Sequence, residues 1–82
     1  MTAVTQSIKE FILKEFLPGE KPEALTETTP LITGGILDSL GTVQLVLFLE
    51  ETFRIELKPS ETGIDHLNTV ADIARLVESR RA

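Results

Sequence analysis

The run from Ser39 to Phe53 constrains this chain most, because Leu40, Val43, Leu45, Val46, Leu47, Leu49 and Phe53 leave little of a helical circumference polar. A helix of that character has to be covered by other elements. A chain of 82 residues has material for one such enclosure, so it reads as a single domain over residues 1–82, with frayed ends at about 1–4 and 80–82. Stepping 100° per residue sets Thr42, Leu45, Val46, Leu49 and Phe53 on one side, a broad stripe for the core. Leu40, Val43 and Leu47 form a second stripe beside Ser39, bordered by Gln44, Glu50 and Glu51. Two readings are open for it: a central helix buried on most sides, or an exposed apolar docking strip with an acidic rim.

The covering elements follow from spacing. Between Thr5 and Phe16, Ile8, Phe11, Ile12 and Phe16 recur every three or four residues opposite Lys9, Glu10, Lys14 and Glu15. This predicts an amphipathic helix capped by Ser7 or Thr5 and stopped at Pro18-Gly19. From Glu20 to Asp38 neither period holds, and Pro22, Pro30, Gly34 and Gly35 punctuate a long loop. A connection this long is uncommon in a small domain unless it serves a function or is pinned down. Leu25, Leu31, Ile32, Ile36 and Leu37 are the residues to pin it.

After Phe53, Ile55 and Leu57 alternate as a short extended link, and Pro59-Ser60-Glu61 opens a brief helical turn that Gly63 weakens and that is over by about Leu67. Asn68-Thr69 caps a last helix in which Val70, Ile73, Ala74 and Val77 keep helical spacing opposite Asp72, Arg75 and Glu78, as far as about Ser79. Three main helices, one short one, a long first loop, no strand pairs and no internal repeat predict a small all-α bundle.

Composition narrows the function classes. Apolar residues at 41% place the chain among globular proteins, and the absence of cysteine rules out disulfides and thiolate metal sites. Thirteen acids against eight bases give a formal charge of −5, which disfavours nucleic acid and anionic membrane surfaces as partners. No run approaches the roughly eighteen apolar residues of a membrane span, and Met1 to Ser7 lacks the regions of a secretory signal, so a cytoplasmic monomer is expected. There is no Walker loop, Rossmann fingerprint or zinc cluster. A Ser39–His66–acid triad is arithmetically available, yet so short a chain has little room for a substrate cleft. His66 reads more simply as a surface or boundary residue.

One place remains where chemistry fits. Gly34-Gly35-Ile36-Leu37-Asp38-Ser39-Leu40 puts a serine hydroxyl at a loop-to-helix junction, where free backbone N–H groups favour negative charge and suit a phosphate. Asp-Ser is also an ordinary capping pair. The two readings are compatible, because Asp38 as the cap leaves Ser39 in the first turn with its hydroxyl toward water.

Gly35-Ile36-Leu37-Asp38-Ser39-Leu40-Gly41-Thr42-Val43-Gln44-Leu45, continuing through Leu49-Glu50-Glu51-Thr52-Phe53 and Ile55, resembles the phosphopantetheine attachment region of the acyl and peptidyl carrier proteins. Asn68-Thr69-Val70-Ala71-Asp72-Ile73-Ala74 is similar to their final helix, so the resemblance covers nearly the whole chain. It implies a four-helix bundle of acyl-carrier type and no catalytic residue. It also implies that a phosphopantetheinyl transferase moves 4′-phosphopantetheine from coenzyme A onto Ser39, with Asp38 helping to engage the transferase. A ligase would then charge the arm with an acyl or aminoacyl group as a thioester, for delivery to downstream biosynthetic enzymes. By the same resemblance the helix after Ser39 is the recognition helix, with Leu40, Val43 and Leu47 touching partner enzymes and Glu50 and Glu51 meeting basic side chains.

Gly34-Gly35 would let a partner's backbone approach closely. Fatty-acid carriers usually have acids where this chain has Gly41 and Gln44. Asp-Ser-Leu-Gly-Thr-Val-Gln-Leu is nearer to free-standing aminoacyl carriers such as the D-alanyl carriers, although the tryptophan-containing segment typical of those is absent here. The competing reading is a carrier-like helical interaction domain that is never modified.

Overall fold

A computed structural model describes residues 3–81. Its four α-helices are α1 (Ala3–Phe16), α2 (Ser39–Phe53), α3 (Ile64–Leu67) and α4 (Val70–Arg81), with single 3₁₀ turns at Pro22–Ala24 and Pro59–Glu61. Among the described residues there is no strand, so the predicted all-α bundle of three main helices and one short one is what forms. The radius of gyration, 11.5 Å, is close to the roughly 12 Å of a compact chain of this length, so the long first loop lies on the bundle rather than trailing from it.

The core takes one stripe from each long helix: Val4, Ile8 and Ile12 from α1, Leu45 and Leu49 from α2, and Val70, Ile73, Ala74, Leu76 and Val77 from α4. The loop contributes Leu25, Leu31 and Leu37, and the α2–α4 connection contributes Ile55 and Leu67. Ile32, Ile36 and Leu57 pack half-buried against this cluster. Thus three of the five expected pins are full core residues, and the other two lean on it.

All four phenylalanines of the chain fall in one row. Phe11 of α1 stacks on Phe48 of α2 at 4.0 Å between centroids, with Phe16 and Phe53 edge-on at either end. Such pairs hold two helices at a set spacing while staying partly open to water. Phe53 is therefore half-buried rather than a deep core residue.

Three expectations about helix ends are corrected. Ala3 and Val4 are helical and Val4 is buried, so Thr5 is an interior residue of α1 and neither it nor Ser7 is the cap. At the other end α4 continues past Ser79 through Arg81. There Arg80 pairs with Glu61 and the Arg81 guanidinium lies 5.7 Å from the Phe53 ring centroid. Cation and ring attract one another, which gives the expected frayed tail a reason to stay helical. Met1, Thr2 and Ala82 lie outside the described residues, as does that part of the expectation. Finally, the helical turn after Pro59 is split, because Gly63 takes an extended conformation and serves as the start of α3.

Candidate functional site

The site begins with a cap. Asp38 has extended backbone, and its Oδ1 accepts a hydrogen bond from the Gly41 N–H at 2.7 Å, while its carbonyl accepts from the Thr42 N–H at 2.9 Å and the Thr42 hydroxyl at 2.8 Å. An aspartate here satisfies donors that the first helical turn otherwise leaves open. Ser39 is consequently the first residue of α2, exposed, at the positive end of the helix dipole. Asp38 itself also remains exposed. An open groove runs beside them, lined by Ile32 and Leu37 of the loop, by Thr42, and by Thr62, Gly63 and Ile64 at the head of α3.

The loop that delivers Asp38 is tied in two ways. Leu31 accepts at its carbonyl from the N–H groups of Ile36 and Leu37, both at 2.9 Å, and so closes the loop on itself. Asn68, between α3 and α4, accepts at Oδ1 from the Ile32 N–H at 2.9 Å and the Thr33 N–H at 3.0 Å, and its carbonyl accepts from the Leu31 N–H at 2.6 Å. Sequence reasoning assigned Asn68 only to capping α4. That task falls to Thr69, whose hydroxyl accepts from the Asp72 N–H at 3.1 Å. The missed signal is an asparagine next to a threonine where one capping residue suffices.

The two glycines before Asp38 are both exposed, and each has a structural role within the loop. A Cβ on Gly34 would collide with the Pro30 carbonyl, and Gly35 has φ +84°, a left-handed conformation that favours glycine.

On α2, Leu40, Val43 and Leu47 are 67%, 54% and 52% exposed. The central helix is therefore not buried on the side of this stripe. Ile64 of α3, at 53%, is exposed as well. The rim differs from expectation. Glu51 is exposed, but Glu50 is half-buried and its Oε2 accepts from the Leu57 N–H at 3.0 Å, so this carboxylate is engaged within the chain. Gly41 is buried, and a Cβ there would sit 3.0 Å from the Phe16 ring and 3.1 Å from Asp38 Oδ1. Position 41 therefore faces α1, and an acid there would have no room. Gln44 is exposed and neutral.

His66 is half-buried and lines a different groove, with Glu61, Asp65, Asp72 and Arg75. The groove beside Ser39 is not lined by His66, and no hydrogen bond joins the two residues among the described residues. No helix among the described residues is long and apolar enough to cross a membrane.

No family model matches the chain. It is similar to the D-alanyl carrier proteins of Streptococcus pyogenes serotype M5 (strain Manfredo), serotype M49 (strain NZ131) and serotype M1. Each is 52% identical over 48 residues, which is 58% of this chain. The matched region spans 61% of the length of these curated relatives. These relatives bear out the resemblance to stand-alone carrier proteins over 58% of the chain, less than the nearly whole-chain resemblance that the sequence motifs carry.

Proposed function

We propose that this chain, a homologue of stand-alone carrier proteins, is itself such a carrier, modified at Ser39 with 4′-phosphopantetheine from coenzyme A. The observation that supports this most is the exposed Ser39 hydroxyl on the first residue of α2, capped from behind by Asp38 and opening onto the groove between the loop and α3. A phosphodiester at this atom suits the dipole of a fifteen-residue helix. The groove offers apolar side chains and two small polar ones to a flexible tether, so the residues present fit the group. When bound, the arm supplies a thiol that holds an acyl or aminoacyl group as a thioester.

The chain's own part is to bind and present. Asp38 fixes the first turn, so that Ser39 meets a phosphopantetheinyl transferase in one orientation, and its exposed carboxylate engages that enzyme. Leu40, Val43 and Leu47 form an apolar face for the transferase, for the ligase that charges the thiol and for downstream enzymes, with Glu51 as the acid that steers basic partners. Such encounters are brief, since an exposed strip of this size holds no partner permanently. The reaction chemistry belongs to the partners. The cargo proposed is an aminoacyl group, D-alanine being the one in the relatives' name.

The test is intact mass after incubation with coenzyme A, magnesium and a broad-specificity transferase. The wild type should gain one phosphopantetheine and Ser39→Ala none. A wild type that stays at its starting mass would leave the unmodified interaction domain as the better reading.

A further inference from the structure

We propose that Asn68 is a positioning residue for the modification of Ser39, an inference that rests on the carrier reading above. Asn68 is far from Ser39 in sequence, yet it joins the two walls of the groove beside the serine. One wall is the loop carrying Ile32 and Leu37, and the other is the head of α3 carrying Ile64. Asn68 ends α3 as its C-terminal cap residue, and it grips the loop at three consecutive amides, those of Leu31, Ile32 and Thr33. Its side-chain nitrogen also donates to the Thr33 hydroxyl at 3.3 Å.

The hydrogen bonds continue from there to the serine. Ile32 and Thr33, held by the Asn68 side chain, directly follow Leu31, which the Asn68 backbone carbonyl holds and which in turn holds Ile36 and Leu37, the residues that lead into the Asp38 cap. Local propensity does not favour this loop path, since the stretch carries Pro30, Gly34 and Gly35 and has no helix or strand ladder of its own. Without the carboxamide the Ile32 and Thr33 amides would turn to water, the loop would keep at position 68 only the backbone carbonyl that holds Leu31, and the entry angle of Asp38 into α2 would be freer to vary. Placing a nucleophile within reach of a partner's active site is sensitive to shifts on the order of 1 Å. A side chain that pins Ile32 and Thr33 of this loop therefore acts on the reaction through geometry, without contacting the reacting atoms.

An aspartate at position 68 keeps an acceptor for the Ile32 and Thr33 N–H groups, and the Thr33 hydroxyl can donate to its second oxygen. Alanine keeps neither. Glutamine keeps the amide but moves it by one methylene. This ordering separates positioning from bulk stability. Apo wild type, Asn68→Ala, Asn68→Gln and Asn68→Asp are incubated with coenzyme A, magnesium and a broad-specificity transferase. Arm gain is timed by intact mass at folded fractions matched by circular dichroism, and ¹⁵N NMR follows the backbone amides.

We expect Asn68→Ala to lose exchange protection at Ile32 and Thr33, to shift the Ser39 and Gly41 amides, and to be modified about tenfold more slowly. Asn68→Asp should restore all three, and Asn68→Gln should behave like alanine, which keeps the comparison available if alanine does not fold. Modification of Asn68→Ala or Asn68→Gln at within about twofold of the wild-type rate overturns the proposal, as does an Asn68→Asp protein as slow as alanine. If the wild type and every variant alike take no arm, it is the carrier reading that has failed. Unmoved Ser39 and Gly41 amides in Asn68→Ala overturn the positioning role on their own.

Discussion

The carboxylate of Glu50 and the N–H of Leu57 are joined by a 3.0 Å hydrogen bond across the reversal that follows α2. The Glu50 carbonyl takes part in the same reversal, accepting from the N–H groups of Arg54 and Ile55, with Arg54 in the left-handed conformation at φ 56°. One residue thus closes the helix with its backbone and fastens the next segment with its side chain, while its neighbour Glu51 faces solvent.

This division of labour predicts opposite phenotypes. Glu50→Ala should cost about 1–2 kcal/mol, the worth of a partly exposed hydrogen bond to a charged group. Glu51→Ala should stay within about 0.5 kcal/mol. In partner encounters the order reverses: Glu51→Ala should slow association at low salt, and Glu50→Gln should leave the salt dependence unchanged. Urea unfolding and stopped-flow association measure the two effects.

Leu47 and Leu49 sit two residues apart on α2 and differ completely in burial, 52% against 0% exposed. Leu49→Ala should destabilise by about 2–5 kcal/mol, enough to unfold much of so small a domain. Leu47→Ala should change stability by no more than about 0.5 kcal/mol and still slow transfer of the arm to Ser39. Phe53→Ala should fall below the roughly 3–5 kcal/mol of a deeply buried phenylalanine, because its ring is half open to water. Equal losses for Leu47→Ala and Leu49→Ala in thermal melts would show that the strip is packed, not free.

Gly34→Ala should be costly although Gly34 is exposed, since the added Cβ meets the Pro30 carbonyl and backbone cannot step aside as a side-chain tip can. A loss of about 1–3 kcal/mol is expected, read from the shift of the urea midpoint.

Glu61 supplies a pH dependence. The Lys58 N–H, which donates to its Oε1 at 3.0 Å, and secondly the Arg80 guanidinium hold its carboxyl below the usual glutamate range. A depressed folded-state value means that the stabilisation is fully present above the unfolded value of about 4.3 and is lost as pH falls through the folded one. Wild type should therefore lose Tm below that pH more steeply than Glu61→Gln, whose side chain does not titrate. Parallel Tm curves for the two proteins down to the acid limit would contradict this.

Much of the fold was legible because helices announce themselves locally. Spacing of Ile8 and Ile12, of Leu45 and Leu49, and of Val70, Ile73 and Val77 marks faces that the structure buries, and Pro18-Gly19 and Asp38 mark ends that it keeps, Gly19 at φ +87° and Asp38 as cap. Less legible was what each polar residue does once the helices meet. Glu50 and Gly41 look like neighbours of the exposed strip on a helical wheel, but one is taken up by Leu57 and the other by Phe16. Arg80 and Arg81 look like a solvated tail until Glu61 and Phe53 are brought beside them. Phe48 attracted no notice as one apolar residue among many, yet it stands in the middle of the phenylalanine row.

Residue order alone determined where the three long helices lie, the cap at Asp38 and the placing of Ser39 in the first turn of α2, because these depend on hydrogen bonds and periodicities within a few residues. Only the tertiary structure decided which side of α2 stays open, and it did so by laying α1, α4 and the loop leucines against the other sides and leaving Leu40, Val43 and Leu47 uncovered. The grip of Asn68 on Ile32 and Thr33 is of the same kind. It joins groups with no local relation, and a contact of that range is set by how the whole chain closes rather than by any stretch of it.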